Sequence, residues 1–408
     1  MNLSVSLNWE RMPTVPLLFP KKEFISEVLI TSIAFPMTER FLYKILFFLS
    51  ISLTAYGQGQ EWTVFRGKSD LSGRSAVPLP DNPAVIWNFS SGSRSKSSPV
   101  ISNNVIFFGT EAGSIVAVGD DGKLRWKSGA GSAVEAPPLI SGNNIIYSSS
   151  DGSVKCALKE SGRIIWSYKT GNQIAGSANI WHIAGKSGIL VGSYDFYLHC
   201  IDPLNGKLLW KIETENYVNG TPAISEGKVL FGGCDGILRI VNPVTGRQED
   251  TINAGVYIAS SPAIDYPYAY VGDYEGTFYK LDISAGKILW RKPAGSDGGS
   301  IMSIPSCSGN RVLIGSDDGN LYCFDSSKGN IIWSFRTNGS VRGSPVIADN
   351  KVLFGSNDGY VYIVGLNDGR RIWSFNCGSP VSSTPAVTND RFYVLTEEGR
   401  LTAFGIKK

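Results

Sequence analysis

The stretch Ser344–Phe375, SPVIADNKVLFGSNDGYVYIVGLNDGRRIWSF, contains every element that decides the fold. Its Asn-Asp-Gly tripeptide at 357–359 supplies the positive φ angles that a two-residue hairpin turn requires. Runs rich in β-branched and aromatic residues on both sides of this turn predict strands. The four predicted strands are Ser344–Ile347, Lys351–Gly355, Tyr360–Val364 and Arg371–Phe375. The stretch therefore predicts one four-stranded antiparallel sheet.

The same pattern recurs along the chain. A Gly is followed four residues later by Trp in six places, which are Gly122/Trp126, Gly162/Trp166, Gly206/Trp210, Gly286/Trp290, Gly329/Trp333 and Gly369/Trp373. Gly246/Asp250 keeps the spacing without the ring. Successive steps between these glycines are 40, 44, 40, 40, 43 and 40 residues. A period of this length is typical of four-stranded propeller blades.

Strand-opening signals such as Ser98-Pro99 and Thr384-Pro385 indicate eight units. The last unit ends after its third strand, Leu401–Phe404, and a strand of the missing type, Ala84–Phe89, precedes the first unit. We therefore predict, for residues 58–408, an all-β, eight-bladed β-propeller of four-stranded antiparallel blades, closed by pairing of the N- and C-terminal segments. Seven blades is the alternative if the irregular third unit is not a blade.

The composition excludes some classes of protein. A hydrophobic fraction of 42%, 46 Gly and 18% charged residues indicate a globular, turn-rich protein. The net charge of +3, without a long Lys/Arg run, argues against a nucleic-acid partner. His182 and His199 are the only histidines, and no paired Cys/His spacing predicts a metal site. The six Cys are interpreted as small buried thiols.

Residues 1–57 predict a targeting segment before the propeller. The apolar run Ile45–Leu53 follows basic residues and precedes small ones, a pattern typical of a signal peptide, here cleaved after Gly57. We expect Met37 to be the true start, with an over-extended reading frame upstream. A broken membrane anchor at Val28–Leu53 is the alternative. The mature chain is expected to be periplasmic or secreted, without a stable membrane span.

The repeat resembles the quinoprotein-type, or PQQ-like, β-propeller family, whose turn between third and fourth strands reads Ala-x-Asp-x-x-Thr-Gly-x-x-x-Trp. The nearest matches are Ile201–Trp210 and Leu281–Trp290, and Trp62–Gly73 resembles the lead-in of many secreted bacterial members. The resemblance spans roughly residues 61–408. It implies that the anchor rings dock against neighbouring blades. These structural anchors are Trp87, Trp126, Trp166, Trp210, Trp290, Trp333 and Trp373.

The catalytic members of the family are quinone-dependent alcohol and sugar dehydrogenases. By resemblance, such an enzyme would need a Cys-Cys pair or similar covering group, a Ca²⁺ held by Glu, Asn and Asp, and a carboxylate base. The sequence has no Cys-Cys pair and no large insert. We therefore interpret the chain as a non-catalytic relative. It is similar in architecture to the propeller subunit of the outer-membrane β-barrel assembly machinery, although it lacks the lipid-accepting Cys of that lipoprotein.

The loops that join one blade to the next are predicted to line the mouth of the central channel. Their inner row is Lys96, Glu135, Ala175, Asn219, Ala259, Met302, Arg342 and Ser382. Their outer row is Arg94, Ala133, Gln173, Tyr217, Tyr257, Ser300, Ser340 and Pro380. From these rows we select the candidate ligand-binding residues Arg94, Lys96, Glu135, Gln173, Tyr217, Asn219, Tyr257 and Arg342. With Glu135 as the only acid, this rim is suited to an anionic or planar ligand. The alternative is a solvated rim without a ligand.

Three hypotheses about function follow. The leading one is a monomeric, non-catalytic extracytoplasmic binding scaffold with protein or cell-envelope partners and no cofactor or metal. The second is an oxidoreductase similar to PQQ-dependent dehydrogenases, which would use PQQ with Ca²⁺. The third is a carbohydrate-binding propeller, because aromatic side chains and an extracytoplasmic location are typical of such proteins.

Overall fold

The computed structural model describes residues 61–295, 299–388 and 390–407. The chain divides after Gly57 into two units, and the described residues belong to the second, Gln58–Lys408. The predicted signal peptide, its cleavage site and the start at Met37 lie outside the described residues. Within these ranges, no helix has the length and apolar character needed to cross a membrane.

The described chain forms eight four-stranded antiparallel blades, as predicted. Two N-terminal strands, β1 (Arg74–Ser75) and β2 (Ala84–Ser90), precede blade 1. Blade 1 contains β3 (Val100–Ser102), β4 (Val105–Thr110), β5 (Ser114–Gly119) and β6 (Leu124–Gly129). Blade 2 contains β7 (Leu139–Ser141), β8 (Asn144–Ser148), β9 (Ser153–Leu158) and β10 (Ile164–Lys169). Blade 3 contains β11 (Asn179–Ile183), β12 (Lys186–Gly192), β13 (Tyr197–Ile201) and β14 (Leu208–Glu213).

The remaining blades repeat this order. Blade 4 contains β15 (Ala223–Ser225), β16 (Lys228–Gly232), β17 (Ile237–Val241) and β18 (Gln248–Asn253). Blade 5 contains β19 (Ala263–Asp265), β20 (Tyr268–Gly272), β21 (Thr277–Asp282) and β22 (Lys287–Pro293). Blade 6 contains β23 (Ser306–Ser308), β24 (Arg311–Gly315), β25 (Asn320–Asp325) and β26 (Ile331–Arg336). Blade 7 contains β27 (Val346–Ala348), β28 (Lys351–Gly355), β29 (Tyr360–Gly365) and β30 (Arg371–Asn376).

Blade 8 closes the ring with strands from both ends of the propeller. Its three C-terminal strands are β31 (Ala386–Val387), β32 (Arg391–Leu395) and β33 (Arg400–Gly405). The N-terminal β2 pairs antiparallel with β33, from Ala84 opposite Gly405 to Ser90 opposite Arg400. The predicted closure is therefore confirmed. Blade 3 is a true blade, and its longer repeat comes from the extended β11–β12 hairpin.

Six of the seven anchor rings pack on the turn of the next blade. The Trp333 ring of blade 6 lies against Gly369 of blade 7, where a Cβ atom would be 2.6 Å from the ring. Its Nε1 donates to the Leu366 carbonyl at 3.0 Å. Gly369 also has a φ of +66°, which disfavours other residues. The Gly and the Trp of one motif therefore serve two different interfaces.

This arrangement recurs around the ring. Indole nitrogens donate to the next blade's turn in the pairs Trp87–Asp120, Trp126–Lys159, Trp166–Pro203, Trp210–Pro243, Trp290–Ser326 and Trp333–Leu366. In blade 4, Asp250 takes the place of the ring, and its carboxylate lies over Gly286. Trp373 instead packs its ring edge-on against Phe392 and Phe404 of blade 8.

The segment Trp62–Ser75, which we call the central plug, bonds to the inner strands of seven blades. Its last two residues, β1, pair in parallel with β27 and add a fifth strand to the sheet of blade 7. Trp62 exchanges two backbone hydrogen bonds with Ile101 of blade 1. Further plug carbonyls accept from inner-strand N–H groups in the pairs Thr63–Ile140, Ser69–Ile224, Asp70–Ile264, Ser72–Cys307 and Gly73–Ile347. The Asn179 amide of blade 3 also donates to the Ser69 carbonyl. The plug therefore crosses the axis and ties the blades together.

Candidate functional site

A cavity of about 270 Å³, which we call the axial cup, lies at the centre of the ring. Phe65 of the central plug lines it, so the plug contributes to its floor. All eight residues of the predicted inner row line the same cavity: Lys96, Glu135, Ala175, Asn219, Ala259, Met302, Arg342 and Ser382. The loops between blades therefore converge at this one place.

The predicted candidate residues fall into two rings. Four of them, Lys96, Glu135, Asn219 and Arg342, line the axial cup. The other four belong to the outer row, which does not line it: Arg94, Gln173, Tyr217 and Tyr257. The outer row is held by the hairpin turn between the second and third strands of each blade.

These turns contribute a third row of side chains that sequence reasoning missed. In every blade, the N–H of one turn residue donates to the carbonyl of an outer-row residue. The turn residues are Glu111, Ser150, Tyr194, Cys234, Tyr274, Asp317, Asn357 and Glu397. A signal was present in the sequence, because in most units this variable position immediately precedes a recurring Asp-Gly or Glu-Gly turn.

The third-row acids Glu111 and Glu397 pair with the two cations of the loop between blades 8 and 1. Lys96 Nζ lies 3.0 Å from Glu135 and 3.8 Å from Glu111. Arg94 lies 3.1 Å from Glu397 and 3.5 Å from Glu111. The hydrogen bond with Glu135 raises the pKa of Lys96. The expectation that Glu135 is the only acid of the rim is therefore wrong.

Arg342 is paired in the same way, in the loop between blades 6 and 7. Its guanidinium makes a bidentate contact with Asp317 at 2.8 and 3.0 Å. That hydrogen bond raises the pKa of Arg342. Because bidentate carboxylate pairing uses the donors that an anion would need, the rim cations are already committed to protein carboxylates.

Five aromatic side chains of blades 3 to 5 form a continuous group, which we call the aromatic arc. Tyr194 and Tyr217 stack with ring centroids 4.4 Å apart. Phe196 lies 5.4 Å from Tyr217, and Tyr257 lies 5.4 Å from Tyr274. Phe196, Tyr217 and Tyr274 are 41%, 40% and 52% exposed. The arc therefore presents apolar ring surface to solvent.

Asn219 connects the two halves of the arc. Its Oδ1 accepts from the Tyr194 hydroxyl at 2.8 Å, and its Nδ2 donates to the Tyr257 hydroxyl at 3.4 Å. Burial raises the pKa of both tyrosines, so their hydroxyls stay protonated near neutral pH. This network fixes the orientation of the rings from the edge of the axial cup.

The donor set of the cup does not fit a quinone held over Ca²⁺. Ca²⁺ takes six to eight oxygen ligands, whereas Glu135 is the one carboxylate among the described cup-lining residues, and Lys96 binds it. Within the described part of the chain, no three His, Cys, Asp or Glu side chains are grouped for metal binding. We therefore derive no redox step from this site.

The sequence matches the family described as outer membrane protein assembly factor BamB, through residues 78–182, 177–249, 236–374 and 275–408. The chain belongs to this family of PQQ-like propellers. A comparison with curated proteins gives no match.

Solved structures share the fold of this BamB-family chain. BamB from Moraxella catarrhalis has a TM-score of 0.67 at 20% identity, covering 80% of this chain and 98% of that one. The computationally designed Ika8 protein has 0.68 at 19% identity, covering 82% and 100%. A quinohemoprotein alcohol dehydrogenase from Pseudomonas putida has 0.73 at 13% identity, covering 86% and 81%. At these identities, the likeness shows the fold alone.

Proposed function

We propose that this BamB-family chain is a non-catalytic extracytoplasmic scaffold that binds a protein partner of the cell envelope through its aromatic arc. The observation that carries the proposal is the clustering of exposed rings from three adjacent blades beside the axial cup. Tyrosine is enriched at the energetically dominant positions of protein interfaces, because its ring buries a large area at a low cost in side-chain entropy.

The charges around the arc indicate the character of the partner. Glu215 lies two residues before Tyr217 and Glu275 directly follows Tyr274, and both glutamates are exposed. Neither glutamate has a basic partner within ion-pair distance among the described residues. A partner surface with apolar side chains and a few Lys or Arg residues would complement this face. The family name indicates the partner class, a component of outer-membrane protein assembly, in the periplasm.

The geometry supports a binding role over catalysis. The cations of the rim are bound by protein carboxylates, and the cup contains too few oxygen ligands for Ca²⁺. The five rings are also held by mutual stacking and by Asn219, so the arc is organised before a partner arrives. Such preorganisation lowers the entropy cost of association.

Site-specific photo-crosslinking tests this proposal. A photoreactive phenylalanine at Tyr217 or at Tyr274 should cross-link one and the same envelope protein in living cells. Leu204 is the matched control, because it is apolar and 84% exposed but lies in the turn at the opposite end of blade 3. We expect no cross-link to that partner from Leu204.

Affinity measurement completes the test. Tyr217→Ser and Tyr274→Ser should each weaken binding of the cross-linked partner by at least tenfold, as removal of a central aromatic residue does. Equal cross-linking from all three positions, or wild-type affinity in both variants, would contradict the proposal. Binding of a soluble oligosaccharide in place of a protein would favour the carbohydrate hypothesis instead.

A further inference from the structure

Six Ser and Thr side chains form a ring inside the axial cup, which we call the hydroxyl belt. Its members are Ser98, Ser177, Thr221, Ser261, Ser344 and Thr384. Four of their hydroxyl oxygens accept a backbone N–H from the preceding blade, in the pairs Thr384–Ser98, Ser177–Thr221, Thr221–Ser261 and Ile304–Ser344. The belt is therefore held in place by bonds between blades.

These bonds leave the hydroxyl protons of the belt uncommitted. A Ser or Thr hydroxyl has one proton to donate in addition to its acceptor lone pairs, and here only the acceptor role is used. Neighbouring serines behave differently, because Ser260, Ser303 and Ser383 donate to carbonyls twelve residues further along the chain. The belt therefore lines the cup with hydrogen-bond donors.

Ser177 has no protein partner for its side chain at all. The residue is 2% exposed, and its Oγ makes no hydrogen bond within the described structure. The cause is Pro137, which occupies the donor position in blade 2 and has no N–H. Buried hydroxyls without a partner are uncommon, and each one leaves a polar group that a ligand can satisfy.

A buried positive charge in the central plug is bonded to residues adjacent in sequence to residues that line the cup. Arg66 of the central plug is fully buried and donates to the Pro305 and Pro345 carbonyls at 2.6 and 3.0 Å. These prolines follow Ile304 and Ser344, which line the cup. The other acceptors of Arg66 are also neutral groups.

The charge of Arg66 is therefore not cancelled by a bonded carboxylate. Burial lowers its pKa to about 9, which is still well above neutral, so the guanidinium stays charged at physiological pH. The charged side chains that line the cup are Lys96, Arg342 and Glu135. Lys96 and Arg342 are paired with Glu135, Glu111 and Asp317, so the charge of Arg66 is the one that attracts an anion.

We infer that the axial cup binds a small oxyanion, such as a carboxylate or a phosphate, through the hydroxyl belt and with the support of the charge of Arg66. The oxyanion oxygens accept from the uncommitted hydroxyls, including the otherwise unpartnered Ser177. A volume of about 270 Å³ admits a small ligand. This site is distinct from the rim, whose cations are already paired, and it does not depend on the aromatic arc or its partner.

Isothermal titration of the full chain tests the inference. Inorganic phosphate and acetate are the probes, glycerol is the neutral control, and ionic strength is held constant with chloride. We expect saturable binding of at least one oxyanion and none of glycerol. The Ser177→Ala variant should bind that oxyanion about tenfold more weakly, as expected for loss of one hydrogen bond to a charged group.

Ser148→Ala is the matched control, because Ser148 Oγ is also buried and unpartnered but does not line the cup. It should retain wild-type affinity. Without an anion, both variants should melt at or above the wild-type temperature, because each loses an unsatisfied buried hydroxyl. Absence of oxyanion binding, equal binding of glycerol, or an unchanged affinity in Ser177→Ala would each overturn the inference.

Discussion

At the scale of single residues, the Gly-x-x-x-Trp motif is explained by two contacts with different blades. The Gly admits the ring of the preceding blade, and the Trp reaches the turn of the following one. Gly206 shows the first contact, where a Cβ atom would lie 2.6 Å from the Trp166 ring. Trp210 of the same motif shows the second, with its Nε1 donating to the Pro243 carbonyl of blade 4. Each motif therefore couples three successive blades.

Trp333→Ala should lower the free energy of unfolding by about 3–5 kcal/mol, the range for deletion of a buried aromatic side chain. Trp333 is 9% exposed and also donates the hydrogen bond to Leu366. Urea unfolding measures the effect. Asp250→Trp is the complementary variant, because it restores the ring in blade 4, and we expect it to be neutral or stabilising. A Trp333→Ala variant as stable as the wild-type chain, together with a destabilised Asp250→Trp variant, would contradict the packing role.

His199 gives the stability a predictable pH dependence. Burial lowers its pKa, while Tyr168 and Asp195 bond to its two ring nitrogens at 2.9 and 3.1 Å. Below about pH 6.5 the unfolded chain takes up a proton that the folded chain resists, so the free energy of unfolding falls as the pH is lowered. Between pH 8 and pH 5, the urea midpoint of unfolding should change less with pH in His199→Gln than in the wild-type chain. An equally steep pH dependence in His199→Gln and in the wild-type chain would contradict the role of His199.

At the scale of elements, the ring is closed in two ways. The strand β2 completes blade 8, and the central plug bonds to the inner strands of seven blades. Both come from the N-terminal side of blade 1. The first thirty residues of the described chain therefore hold together parts of the propeller that are hundreds of residues apart in sequence.

Deletion of Ala84–Ser90 should destabilise the propeller far more than deletion of residues 1–36. Loss of β2 exposes the backbone groups of β33 and removes Trp87, whose Nε1 donates to Asp120 of blade 1. Thermal melting of the two truncated chains provides the comparison. Equal melting temperatures would show that closure by β2 contributes little.

Arg66→Met tests the plug without shortening the chain. The substitution leaves the carbonyls of Leu71 and Pro305 without a donor and removes one of two donors to the Pro345 carbonyl. We therefore expect the free energy of unfolding to fall by about 3 kcal/mol. Arg74→Met is the control from the same plug, because its ion pair with Asp265 is about one-third exposed and should contribute no more than about 1 kcal/mol. Similar urea midpoints for the two variants would contradict the role of Arg66.

At the scale of the whole molecule, the propeller has a charged side and an aromatic side around one cup. Added quinone and Ca²⁺ should give no oxidation of alcohols or sugars, because the cup lacks the oxygen ligands for the metal and Glu135 is held by Lys96. A dye-linked assay measures this activity. Dye reduction that disappears with a chelator would establish the oxidoreductase hypothesis in place of the scaffold.

The sequence by itself determined the number of blades, the order of their strands and the closure by the N-terminal strand. The physical reason is that turns, strand periodicity and the Gly-x-x-x-Trp spacing are local features, repeated once in each blade. The same regularity placed the inner row, from Lys96 to Ser382, at equivalent positions in the loops between blades. Because each unit contains its own copy of the pattern, the irregular third unit does not prevent recognition of the others.

Only the tertiary structure decided what these residues contact. The partners of Arg66 lie 239 and 279 residues away in sequence, and no local pattern connects them. The pairing of Arg342 with Asp317, the stacking of Tyr194 on Tyr217 and the lone hydroxyl of Ser177 depend likewise on different loops or blades meeting at the axis. Closure of the ring brings these distant groups together, and the chemistry of the site arises from that closure.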